Sequence, residues 1–148
     1  MQERFHTFTV LIMKINRSIH KIKTEEMLRF NLKSPHVSCL YYLYKTQTLT
    51  AKELCDICDE DKAAISRSVD YLEENDFIKC ESTAKKRYKA YLLLTEKGKV
   101  VAEHITKRID SVLDEASIGL NNEDRKNLYK SLTLIEENLR KIISTYGE

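Results

Sequence analysis

The sequence predicts a mainly α protein with one small β-hairpin: a winged helix-turn-helix core between long helices at both ends. Three observations predict this. Only three glycines and one proline occur in 148 residues, which leaves few turns and favours long helices. Apolar residues recur at spacings of three and four along most of the chain, the period of an amphipathic helix. The period shortens to two in only two short stretches, Phe77 to Glu81 and Tyr91 to Leu94, which is the signature of strands.

The first helix is predicted from about Glu3 to Phe30. Phe5, Phe8, Ile12, Ile15, Ile19 and Ile22 form a continuous seam, longer than one small neighbour can cover. Ser34 and Pro35 supply a cap and a first-turn proline for a second helix, with Val37, Leu40, Tyr41 and Tyr44 along one side. Thr50 and Glu53 form a capping box that opens a third, short helix, with Leu54, Ile57 and Cys58 inward. Asp61 caps a fourth helix that starts at Lys62, buries Ile65, Val69 and Leu72, and ends near Asn75. The two strands follow, separated by the hydrophilic loop Ser82 to Lys89. Thr95 caps a fifth helix, in spite of Gly98 near its start, with the stripe Val101, Ile105, Ile109, Val112 and Ala116. A sixth begins at Asn122-Glu-Asp, where acidic side chains suit the helix dipole, and carries Leu128, Leu132, Ile135, Leu139 and Ile142.

Residues 34–95 are expected to form the winged helix-turn-helix unit. Residues 1–33 and 96–148 are expected to be dimerisation helices within the same single domain, because their stripes exceed what the middle can bury. The alternative is a monomer in which those helices pack on one another. No repeat and no low-complexity tract interrupts the chain. The longest early apolar run, FTVLIM, is six residues and is followed by Lys14, too short for a signal peptide or a membrane span. A cytoplasmic location with no membrane partner is expected, and with it four reduced cysteines. The formal net charge of +2 gives no general affinity for polyanions, so only local charge can do so.

Local charge and side-chain size single out the fourth helix. Opposite Ile65, Val69 and Leu72 lie Ala63, Arg67 and Asp70, with Lys62, Ala64 and Ser66 beside them. Small side chains let a backbone approach base edges, Arg67 can fork onto guanine or reach a phosphate, and Ser66 can donate to either. The loop after the helix carries Lys85, Lys86, Arg87 and Lys89, a cationic tip suited to a minor groove or flanking phosphates. Double-stranded DNA is the expected partner. Against this, Glu53, Asp56, Asp59, Glu60, Asp61, Asp70, Glu73, Glu74 and Asp76 make the helix pair acidic, and phosphate repels acid. Affinity is therefore expected to rest on the loop and on dimerisation.

The run LTAKELCDICDEDKAAISRSVDYLEENDFIKC, followed by YLLLTEKGK, resembles the core of the MarR family of bacterial transcriptional regulators. The resemblance implies a homodimer that binds a palindromic operator, with the fourth helix in the major groove and the wing in the minor groove. It implies a repressor released by a small aromatic or anionic effector held near the first, second and fifth helices. His36, Tyr41, Tyr44, Met13 and Arg17 are the ligand candidates on that basis. Two departures stand out. The family's Asp-x-Arg in the wing is Lys86-Arg87-Tyr88 here, without the acid, and the glycine common between the third and fourth helices is Asp59.

Other chemistry is weaker. Cys55 and Cys58 form a C-x-x-C, which suits small buried thiols or a thiol-responsive regulator. His36 and His104 resemble the histidines of zinc-sensing family members, but Arg108 stands where a further ligand would be needed, and no metal or cofactor is expected. No phosphate loop, paired carboxylates or nucleophile-base spacing points to an enzyme. The contrasting possibility is a winged-helix module that binds protein through its acidic helix pair.

Overall fold

The computed structural model describes residues 3–58, 60–81 and 87–147. The chain divides into two compact units, one up to Lys107 and the other from Arg108.

In the first unit, a π-helical stretch, His6–Leu11, leads into α1 (Ile12–Met27) and a 3₁₀ turn, Leu28–Phe30. Asn31 ends it with φ 54°, a left-handed conformation that asparagine tolerates. Then come α2 (Ser34–Thr46), the short strand β1 (Leu49–Thr50), α3 (Ala51–Cys58) and α4 (Lys62–Glu74). β2 (Ile78–Cys80), β3 (Tyr91–Leu94) and the start of α5 (Glu96–Ala116) complete the unit. The core gathers Leu40, Leu43, Leu54, Leu72, Leu92 and Ile105, all essentially without exposure. The inward set Ile65, Val69 and Leu72 of α4 is buried as the sequence predicts.

The caps differ from expectation in one place and hold elsewhere. Ser34 is not the cap of α2. Lys33 N–H donates to His36 Nδ1 at 3.0 Å, and His36 N–H returns a bond to the Lys33 carbonyl at 3.0 Å. The imidazole thus replaces the acidic partner at the third helical residue of a capping box, one residue earlier than the Ser-Pro pair suggests. The Thr50–Glu53 box is present, with Thr50 N–H donating to Glu53 Oε2 at 2.7 Å and Glu53 N–H to Thr50 Oγ1 at 3.2 Å. Asp61 accepts from Ala64 N–H at 2.7 Å.

Two further expectations are corrected. The sheet has three strands, not two. Leu49 and Thr50 pair antiparallel with Leu92 and Tyr91, giving the order β1-β3-β2. Two residues are too few to show a period, so β1 was hidden beneath the capping signal. Ile57 is 42% exposed rather than inward. The inward stripe of α3 is Ala51, Leu54, Cys55 and Cys58 at helical spacing, and Ile57 falls one position off it.

α4 ends in a Schellman motif, with Phe77 N–H donating to Leu72 O at 2.8 Å and Asp76 N–H to Glu73 O at 3.0 Å. Asp76 takes the left-handed position, φ 61°, where glycine is usual. The turn hands the chain to β2, whose Ile78, Lys79 and Cys80 oppose Leu94, Leu93 and Leu92. Gly98 has a definite reason. A Cβ there would lie 1.9 Å from the Phe77 carbonyl oxygen, so the first turn of α5 lies directly on the backbone entering β2.

In the second unit, α5 continues to Ala116 and α6 spans Asn122–Ser144. Gly119 turns the chain between them at φ 93°. Asn121, one residue before the expected start, caps α6: it accepts from Asp124 N–H at 2.9 Å and its own N–H donates to Asp124 at 3.3 Å. Arg125 pairs with Asp114 at 3.3 Å. No described residue of this unit is buried, although Leu128, Leu132, Leu139 and Ile142 keep their helical alignment.

Candidate nucleic-acid interface

The outward face of α4 exists because its inward face is fixed. With Ile65, Ser68, Val69 and Leu72 buried, the opposite side of the helix must face out. Lys62, Ala63, Ser66 and Arg67 are exposed, and Ala64 is half-buried at the margin. The result is a strip with little side-chain bulk beyond Lys62 and Arg67, suited to close approach by a flat-edged ligand such as a base pair.

Two acids of the helix pair are fixed in place by capping and keep their charge. Asp61 is committed to the first turn of α4 through Ala64 N–H, where its charge offsets the helix dipole. Glu53 is committed to Thr50, whose backbone N–H first and hydroxyl second hold the carboxyl below the usual range. Asp70 is half-buried rather than displayed with Arg67.

Behind the strip, α4 is tied to the rest of its unit through Tyr71. Its ring stacks on His36 with centroids 4.4 Å apart and planes 1° from parallel. Its hydroxyl donates to the Asn31 carbonyl at 2.5 Å. The helix that presents Arg67 is therefore registered against the α1–α2 junction by a polar aromatic side chain, one that the apolar periodicity alone does not reveal.

Of the predicted wing cations, Lys85 and Lys86 lie outside the described residues, as does Asp59 between α3 and α4. Arg87 begins a 3₁₀ turn, Arg87–Lys89, and Lys89 is exposed. A side chain missed at the sequence level is Tyr88 in that turn. Its O–H donates to Cys55 Sγ at 3.5 Å, and Lys62 Nζ lies 4.5 Å from its ring centroid. The bond to Cys55, with some desolvation, raises the phenol above its ordinary pKa. The signal was an aromatic residue in an otherwise hydrophilic loop.

The five ligand candidates have different surroundings. His36 is buried against Tyr71, and burial, then the Lys33 charge, lowers its pKa. Tyr41 packs edge-on to Tyr42 at 5.3 Å and carries Lys45 over its ring at 5.6 Å. Met13 and Arg17 are exposed on α1. Tyr44 lines a cavity of about 530 Å³, together with Leu43, Gln47, Lys79, Leu94 and Val100, and the other four candidates are not in its wall.

The thiols and the zinc-like histidines have structural employment. Cys39 is fully buried, and desolvation pushes its thiol up to about 12; Cys58 is pushed to about 11, also mainly by burial. Such thiols carry almost no thiolate at neutral pH. His104 meets the Arg29 guanidinium at Nε2 and the edge of Phe30 at 5.5 Å, while His36 is stacked on Tyr71. Among the described residues, no three His, Cys, Asp or Glu side chains gather as a metal site, and no helix is long and apolar enough to cross a membrane.

Residues 30–87 match the sequence profile of the MarR family, a span from the end of the 3₁₀ turn after α1 into the turn before β3. Three solved structures share the fold. A putative MarR family transcriptional regulator from Listeria monocytogenes, complexed with 26mer DNA, superposes with TM-score 0.81 at 23% identity, covering 94% of this chain and 90% of that one. MepR from S. aureus in a DNA complex gives 0.80 at 19%, covering 93% and 99%. NMB1585, a MarR family regulator from Neisseria meningitidis, gives 0.77 at 22%, covering 97% and 98%. No curated protein matches this chain.

Proposed function

We propose a homodimeric transcriptional regulator that binds a palindromic operator and acts as a repressor, a reading supported by the match of residues 30–87 to the MarR family profile. The observation that carries this is the bare outer strip of α4, with Arg67 and Ser66 exposed directly opposite a fully buried inner face. In this scheme α4 enters the major groove, with Arg67 on a base edge or phosphate and Ala63 and Ala64 allowing close approach. Lys85, Lys86, Arg87 and Lys89 follow the flanking backbone or the minor groove. The DNA complexes of two fold relatives support this.

Dimerisation supplies the second half-site. In the single chain the seam of the first helix is open to solvent, from Phe5 at 70% exposed to Ile22 at 40%, and Leu128, Leu132, Leu139 and Ile142 of α6 are exposed as well. Apolar rows of that length are unfavourable in water and are explained by a second copy. Release by a small effector completes the proposal, and Tyr44 lies in the wall of the 530 Å³ cavity beside the strand residues Lys79 and Leu94.

Hydroxyl-radical footprinting on the region upstream of the chain's own gene tests the scheme. Two protected half-sites about one helical turn apart are expected, on one side of the duplex. A well-folded dimer that protects nothing at low salt would rule it out, and would favour a protein-binding module instead.

A further inference from the structure

One side chain ties the root of the wing to the helix-turn-helix. Tyr88 sits in the 3₁₀ turn before β3, reaches Cys55 of α3 with its hydroxyl at 3.5 Å, and carries the Lys62 ammonium 4.5 Å from its ring centroid. Lys62 is the first residue of α4 and is exposed, whereas Tyr88 is half-buried. A lysine on an open surface samples many rotamers, and fixing it on a phosphate is opposed by the freedom lost. An aromatic face beneath the ammonium removes part of that freedom beforehand. The hydroxyl bond to Cys55 in turn fixes where the ring lies.

We propose that Tyr88 is a positioning residue of the nucleic-acid interface: held on α3 through Cys55, its ring pre-orders the Lys62 ammonium for a backbone phosphate and couples the wing's root to the start of the reading helix. The inference rests on the DNA-binding reading above and adds to it a side chain that need not touch DNA. It also gives this chain a wing brace of its own, where the Asp-x-Arg pattern is absent.

A double-mutant cycle tests it. Wild type, Tyr88→Leu, Lys62→Ala and the double variant are titrated against one operator duplex by fluorescence anisotropy. Tyr88→Leu is expected to weaken binding ~5-fold in the wild-type background, the scale of an exposed cation–π contact. It should change nothing once Lys62 is alanine, because the ring then has no ammonium to hold. Tyr88→Phe keeps the ring but releases it from Cys55, so it should fall between wild type and the leucine variant, about twofold weaker than wild type. Tyr88→Gln, without a ring, replaces the leucine variant if that one melts early, with the same pattern expected. Losses that add across the cycle, or a leucine variant that binds like wild type, overturn the proposal while leaving DNA binding intact. A wild-type chain that binds no duplex overturns both.

Discussion

α4 and α6 carry apolar seams of similar regularity and meet opposite fates. Ile65, Val69 and Leu72 of α4 are 2%, 3% and 0% exposed, while Leu128, Leu132 and Leu139 of α6 are 43%, 45% and 52% exposed. Both helices also have a side-chain cap at the first turn. The difference is therefore not in helix-forming tendency. α4 meets α2, α3 and β2 in its own chain, whereas α6 lies in a unit that buries no described residue. An amphipathic stripe records that a helix needs a partner and is silent on whose chain provides it.

Substitutions on the two helices sharpen the contrast, and the largest effect belongs to α4. Leu72→Ala should destabilise the first unit by about 2–5 kcal/mol, measured by denaturant unfolding, because it opens a cavity in a closed core. Leu132→Ala on α6 should behave differently: its cost should grow with protein concentration, since it acts on association rather than on a core. Leu132→Glu takes this further, and sedimentation velocity should show the dimer shift to monomer with helix content kept. If Leu132→Ala costs as much as Leu72→Ala at every concentration, α6 is buried within its own chain and the contrast is wrong. Next in size is Gly98→Ala, expected to destabilise by about 1–3 kcal/mol, because the new methyl group meets the Phe77 carbonyl and not a yielding side chain.

The smallest effect concerns His36. Burial and the Lys33 charge lower its pKa from 6.5. The neutral ring therefore adds stability that is complete above its unfolded pKa and is lost as pH falls through the lower folded one. His36→Gln should flatten the drop in unfolding midpoint below about pH 6.5 while leaving the value near neutrality only modestly lower. An unchanged pH slope would mean that His36 titrates normally in the folded chain.

Much of the fold was legible because the features that fix it are local. Periodicity and capping signals together located the α-helices of the described residues, the Thr50–Glu53 box and the Asp61 cap both formed, and the two longer strands fell where the period shortened. β1 escaped because two residues carry no period, and Lys33 escaped as the cap of α2 because its partner there is an imidazole. The outward strip of α4 followed from helix geometry. What joins it to its surroundings did not. Tyr71 reaches Asn31, and Tyr88 reaches Cys55 and Lys62, across long separations in sequence. For the ligand candidates, helix positions gave their faces, while the space in front of each face depends on packing.

The central claim is that the exposed strip of α4 reads DNA through Arg67. The most direct measurement compares wild type and Arg67→Ala on the same upstream duplex over a series of salt concentrations. Wild type should bind tightly and with strong salt sensitivity, and the variant should lose about 1–3 kcal/mol, with relaxed preference at one base position and unchanged thermal unfolding. Equal affinity of the two proteins for that duplex at every salt concentration would contradict that claim.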